Sequence, residues 1–155
     1  MRLEYFQMLD ALEKLDRDGA SIVARARVPD ASPVFEGHFP GYPLVPGVLL
    51  VETMAQAAGY MLLAVDGLKR MVFLAKVKEA NFRSFVRPGA DLTVEAARIH
   101  DGSGYAVTRA SISEGGKKLC DAELMFRLVP FATPELEQHV RREAARLGFG
   151  PAAGG

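Results

Sequence analysis

The sequence has little cysteine and no excess charge of either sign. Its 155 residues include one cysteine, Cys120, so the chain can form neither an internal disulfide bond nor a paired-cysteine metal or redox motif. That usage fits a reducing cytosol. Nineteen lysines and arginines balance nineteen aspartates and glutamates, which leaves no overall field to attract a polyanion. A dedicated nucleic-acid-binding protein is therefore not expected.

The first residues also lack the marks of a secretory signal. Charges are spread through residues 1–18, which hold neither an unbroken apolar core nor a small-residue cleavage site. We therefore expect a cytoplasmic protein. The length suits one domain, predicted over residues 1–147 with a flexible tail at 148–155.

Only one stretch approaches the length of a membrane span. Residues 48–65 contain just three clearly polar side chains, Glu52, Thr53 and Gln56. A carboxyl group in the first turns and an amide one turn later would each be costly in hydrocarbon. We interpret the stretch as a helix that is apolar on nearly all sides because protein surrounds it.

The remaining periodicities predict mostly strands. Apolar residues at three-residue spacing predict an amphipathic helix over residues 3–15. Proline and glycine predict an irregular loop over residues 33–47. A Thr-Pro-Glu start predicts a charged, peripheral helix from residue 133 to about 147. Alternating or β-branched segments predict strands at 21–28, 71–79, 81–87, 91–99, 105–113 and 117–129, with 81–87 either separate or a continuation past a bulge.

These elements predict an α+β fold of one antiparallel sheet and one long apolar helix. The sheet must curl around the helix to hide it. Since five or six strands would leave the helix partly exposed, we also expect a partner subunit. Cys120 falls on the inward face of the last strand and is predicted to be a small core residue.

Two side chains in and beside the apolar helix suggest acid–base chemistry. His38 lies in the proline-stiffened loop, and an imidazole titrates near neutrality, which makes it a candidate general base. Glu52 lies about one and a half turns into the helix, where burial raises the pKa of a carboxyl group, so it is a candidate general acid. By contrast, His100 in a predicted hairpin turn and His139 on a charged helix are interpreted as surface histidines.

Groups around Glu52 could support it. Gln56 is four residues later on the same helix face, where its amide can orient the carboxyl group. The first amides of the helix, at Gly47 and Val48, have no partner within the helix and carry the positive end of its dipole, so they could hold an oxyanion.

Residues 37–56 form a specific motif, Gly37-His38-Phe39-Pro40-Gly41, Pro43, Pro46-Gly47-Val48, Glu52 and Met54-Ala55-Gln56. The motif closely resembles that of the (3R)-hydroxyacyl-[acyl carrier protein] dehydratases of bacterial type II fatty acid synthesis, which have the hot-dog fold. In that fold a curved antiparallel sheet wraps a long helix. The resemblance extends over roughly residues 5–129.

The resemblance implies roles for these residues. His38 and Glu52 would be the catalytic pair, the amides of Gly47 and Val48 would bind the thioester carbonyl, and Gln56 would orient Glu52. It also implies an acyl carrier protein as the partner that presents the substrate and a homodimer in which His38 faces Glu52 of the other subunit. No metal or organic cofactor is implied, and a glutamate at the acid position looks like the branch that does not isomerise the double bond.

Some alternatives stay open at this stage. Residues 3–10 differ from the usual start of the housekeeping enzymes, so a specialised lipid or polyketide pathway is as compatible as bulk fatty acid synthesis. A hot-dog thioesterase and a catalytically silent acyl-carrier-binding subunit are the competing functions.

Overall fold

Six strands and three α-helices make up the fold within residues 1–150. The computed structural model describes residues 1–150. After a short 3-10 turn at Leu3–Tyr5, the elements in chain order are β1 (Ala11–Asp16), β2 (Ser21–Arg27), α1 (Pro33–Gly37), α2 (Gly47–Val65), β3 (Met71–Phe82), β4 (Asp91–Asp101), β5 (Tyr105–Glu114), β6 (Lys117–Val129) and α3 (Pro134–Arg146).

All six strands form one antiparallel sheet in the order β1-β2-β4-β5-β6-β3. The last three strands of the chain form the predicted meander, β4-β5-β6. Along β4, Leu92, Val94 and Ala96 are buried and alternate with more exposed residues, because successive side chains of a strand point to opposite faces. The strand predicted at 71–79 continues past a register shift to Phe82 as the single strand β3, whereas the rest of the strand predicted at 81–87, residues 83–87, is irregular.

The apolar run is a buried helix, as predicted. α2 contacts β2, β3, β4, β5 and β6, so the sheet curves around it. Its length and composition alone would allow it to cross a membrane, but 61% of its most apolar window is buried inside the protein. Met54 and Met61 have no exposed surface.

The helix predicted over residues 3–15 is wrong. The chain there makes the short turn at Leu3–Tyr5 and then β1, which pairs with β2. The three-residue spacing of apolar residues is real, since Leu3 and Leu9 are buried, but Phe6 has a left-handed backbone and an exposed side chain. Pairing with β1 satisfies the backbone groups on the outer edge of β2, which would have stayed unpaired if residues 11–16 were helical, and this outweighed the local pattern.

The loop predicted over 33–47 also needs a correction, because it begins with the short helix α1. The Ser32 hydroxyl accepts a hydrogen bond from the Val34 amide at 3.2 Å, and Pro33 occupies the first helical position. A capping hydroxyl followed by proline is a common helix start. The remainder, from His38 to Pro46, is irregular as predicted.

The C-terminal helix is present as predicted but is less peripheral than expected. Val140 and Ala144 of α3 are buried, and Phe149 beyond it is only 4% exposed. The ring of Phe149 packs edge-on against Tyr60 with centroids 5.7 Å apart. The tail predicted from residue 148 is therefore packed against the core as far as Phe149, and residues 151–155 lie outside the described part of the chain.

We predict that core packing beneath α2 dominates stability. Met61→Ala should lower the free energy of unfolding by about 2–5 kcal/mol, since it leaves a cavity in a fully buried site. Met125→Ala removes the same atoms from a half-buried position on β6 and serves as the matched control. Denaturant unfolding of both variants measures the difference, and equal losses would contradict this account of the core.

A second prediction concerns Cys120, which is buried on β6 as expected. Burial raises the pKa of the Cys120 thiol to about 11. The folded chain therefore holds this proton at a pH where an unfolded thiol, with a pKa of about 8.5, has lost it. We expect a thiol reagent at pH 8 to label the native protein far more slowly than the unfolded protein.

The contribution of Cys120 to the free energy of unfolding should fall as the pH rises from about 9 towards 11. A Cys120→Ala variant should lack that alkaline decline.

Candidate active site

His38 is held by its loop immediately after α1. The Nδ1 atom lies 3.2 Å from the Leu44 carbonyl oxygen, and the imidazole stacks on the Phe39 ring with centroids 4.0 Å apart. The Leu44 amide in turn donates to the His38 carbonyl at 3.0 Å. Because a carbonyl oxygen can only accept, Nδ1 carries the proton in this contact, and Nε2 keeps a lone pair that can take up another proton.

Glu52 and Gln56 form a hydrogen-bonded pair on α2. The Gln56 amide nitrogen donates to the Glu52 carboxyl at 3.0 Å and to the Phe6 carbonyl at 2.6 Å. The Gln56 side-chain oxygen accepts from the Met8 amide at 3.1 Å. These three bonds give the Gln56 amide a single orientation, in which its nitrogen faces the Glu52 carboxyl group.

The start of α2 offers two free amides. The amides of Leu49 and Leu50 donate to the Pro46 carbonyl, whereas those of Gly47 and Val48 have no hydrogen-bond partner within residues 1–150. A side chain added at Gly47 would lie 3.4 Å from the Phe82 ring. Glycine therefore leaves the helix start open beside that ring, where the free amides and the helix dipole favour negative charge.

Glu52 opens onto a cavity of about 320 Å³. Glu52, Gln56 and Tyr60 line it at four-residue spacing along α2, and β3 and β6 supply apolar walls. Burial raises the pKa of Tyr60 to about 12, and the negative charge of Glu143 adds to the rise. The Tyr60 hydroxyl therefore stays protonated at neutral pH. Glu52 itself is half-buried rather than fully buried, because the cavity gives it access to solvent.

The structure brings together only part of the predicted site. Gln56 joins Glu52, but His38, Gly47 and Val48 are not among the residues that line the cavity. Within residues 1–150, no three His, Cys, Asp or Glu side chains lie close enough together to hold a metal ion.

Sequence reasoning missed several residues around Glu52. Tyr60 continues the spacing of Glu52 and Gln56, so helical periodicity would have identified it. His139 is exposed, as predicted for a surface histidine, yet it also lines the cavity. Nothing local in the sequence shows that α3 or the backbone at Phe6 and Met8 would reach this site.

Comparison with known proteins identifies the family. A family model described as a FabA-like domain matches residues 2–123. The 3-hydroxyacyl-[acyl-carrier-protein] dehydratase FabZ of Chlamydia caviae is 40% identical over 129 residues, covering 80% of this chain and 82% of that protein. The enzyme of the same name from Pediococcus pentosaceus is 37% identical over 119 residues, covering 76% of this chain and 79% of that protein.

Solved structures with the same fold are more distant. A conserved protein of Pseudomonas aeruginosa superposes with a TM-score of 0.64 at 19% identity, covering 81% of this chain and 91% of that one. A hypothetical thioesterase from Streptococcus pneumoniae TIGR4 gives a TM-score of 0.62 at 20% identity, covering 77% and 90%. At these identities the likeness shows the hot-dog fold alone. The family-model match over residues 2–123 and the sequence identity with the dehydratases show the family as well as the fold. The chain belongs to the FabA-like family, with the 3-hydroxyacyl-[acyl-carrier-protein] dehydratases FabZ as its relatives.

Proposed function

We propose that this chain is a 3-hydroxyacyl-[acyl carrier protein] dehydratase of fatty acid biosynthesis. It converts (3R)-3-hydroxyacyl thioesters into trans-2-enoyl thioesters and water. The observation that carries the proposal is the Glu52 carboxyl group, held by Gln56 and open to an apolar cavity. The names of its relatives, all dehydratases acting on acyl carrier protein substrates, support the same reaction.

The reaction follows from the groups described. Nε2 of His38 removes the proton from the carbon next to the thioester, and the free amides of Gly47 and Val48 stabilise the negative charge that develops on the carbonyl oxygen. The electron pair forms the double bond as the bond to the 3-hydroxyl breaks. Glu52, as the general acid, gives a proton to the departing oxygen, which leaves as water.

Each site needs two subunits in this proposal. His38 and the helix start do not line the cavity at Glu52 within one chain, so His38 of one subunit acts with Glu52 of the other. The edge strand β3 supports a homodimer, because it pairs only with β6 and exposes the apolar side chains of Phe73 and Val77. Such an edge is a ready site for a second copy of the chain.

The substrate arrives on an acidic acyl carrier protein in the cytoplasm. Among the basic residues near β3, Arg70 and Arg83 are paired with Asp66 and Asp121. Lys69 and Lys76 have no carboxylate partner within residues 1–150 and are the better candidates for a contact with the carrier. Docking through such charges should weaken as the salt concentration rises.

We predict that His38→Ala and Glu52→Gln each lower kcat/KM for dehydration by about 10²- to 10⁴-fold, since each removes one proton-transfer group. The assay incubates the protein with (3R)-hydroxyacyl carriers of several chain lengths and follows loss of water by mass spectrometry. His100→Ala is the matched control, because His100 is exposed and bonds only to Tyr105. Its activity should equal that of the wild type.

Other outcomes would redirect the proposal. Release of thiol without formation of an enoyl product would indicate a thioesterase. Binding of acyl carriers without turnover would indicate a silent carrier-binding subunit. If His38→Ala keeps more than about a tenth of wild-type turnover, the role of His38 as base is wrong.

The shared site makes a separate prediction. Neither His38→Ala nor Glu52→Gln dimers should be active, but a random mixture of the two chains should regain about a quarter of wild-type activity, since half of the dimers are mixed and each has one intact site. Activity after refolding the chains together measures this. A mixture that stays inactive while remaining dimeric would show that each site lies within one chain.

A further inference from the structure

The cavity at Glu52 is closed on one side by α3. Leu136, His139 and Val140 of this helix line it together with α2 and the edge of the sheet. The usual hot-dog elements of this chain, the sheet and α2, leave this side open. The C-terminal helix therefore supplies a wall that the rest of the fold does not.

The wall lies at the end of the cavity away from Glu52. Residues on α2 line the cavity from Glu52 to Leu63, which spans about 16 Å at 1.5 Å per residue. Arg141, the residue after Val140, donates to the carbonyl of Leu68 at 3.3 Å, just beyond the last residue of α2. The cavity-lining turn of α3 is thus placed near the C-terminal end of α2, whereas Glu52 lies near its start.

α3 is anchored through its C-terminal half and the residues that follow it. Arg146 donates to the Leu9 carbonyl at 3.2 Å, and Ala144 is fully buried. Beyond the helix, Phe149 packs against Tyr60, and Arg17 donates to the Gly150 carbonyl at 2.8 Å. These contacts hold the helix against the core and give the cavity a fixed end.

We propose that α3 limits the length of the acyl chain that the enzyme accepts. This inference rests on the proposed function, in which the reacting end of the chain lies at Glu52 and the tail extends towards Leu63. Most side chains around the tail, including Leu63, Leu136 and Val140, are apolar, which suits a hydrocarbon tail, and Tyr60 and His139 are the polar exceptions. A cavity of about 320 Å³ is near the lower end of the usual range for ligand sites, about 300–1,000 Å³. A long chain that extends from Glu52 past Leu63 would meet the side chains of α3.

Two variants change the cavity in opposite directions. Leu136→Ala removes part of the wall and should shift the preference towards longer chains. Gly59→Ala adds a methyl group to the cavity at an ordinary distance of 3.6 Å from the Phe126 ring, and should shift the preference towards shorter chains. Because one methylene in an apolar site is worth about 10-fold or more, the ratio of kcat/KM for long over short carriers should change by at least about 10-fold in each case. Gln138→Ala, an exposed change on α3 outside the cavity, is the matched control.

A binding assay separates this inference from the proposed function. Saturated acyl-pantetheine probes of increasing length carry no 3-hydroxyl group, so their affinity reports on the cavity alone. If the wild type dehydrates no carrier but Leu136→Ala binds longer probes more tightly, the proposed reaction is wrong and the inference that α3 limits chain length is supported. If all variants fold, as thermal unfolding would show, and keep the wild-type length profile in both assays, α3 does not set chain length.

Discussion

Burial of α2 is the constraint on which the rest of this structure depends. A helix with so few polar side chains is stable in water only if it is covered, and a single curved sheet covers most but not all of its circumference. The uncovered face carries Val48, Glu52, Gln56 and Tyr60 at four-residue spacing. Glu52, Gln56 and Tyr60 of that face line the cavity, so the proposed acid lies where the sheet leaves α2 uncovered.

The N-terminal segment illustrates how the same constraint shapes the site. An amide in an apolar helix is costly unless its donors and acceptor are satisfied. Gln56 meets that requirement with the backbone of Phe6 and Met8 as well as with Glu52. The segment that departs most from the predicted helix is therefore also the one that holds the Gln56 amide, since an extended chain can present free backbone groups where a helix would have used them internally.

The central elements could be predicted because their signals are local. Alternation of apolar and polar residues predicts which side chains of β2, β4, β5 and β6 face the core. The apolar run predicts that α2 is buried. The pairing of Gln56 with Glu52 follows from helical geometry alone. The helix predicted over residues 3–15 failed because Leu3, Leu9 and Leu12 have a spacing that a strand and a turn can also satisfy, and the choice was made by the free edge of β2.

The sequence by itself determined the buried helix, the C-terminal helix and five of the six strands, and it indicated His38 and Glu52 as candidate proton-transfer groups. Only the tertiary structure decided what surrounds them. It placed α3 and Tyr60 at the cavity of Glu52, tied Gln56 to the N-terminal segment, and left His38 outside that cavity within one chain. The reason is that propensity and periodicity act over a few neighbouring residues, whereas the contact of Phe149 with Tyr60, or of Arg146 with Leu9, joins parts of the chain that no local pattern relates.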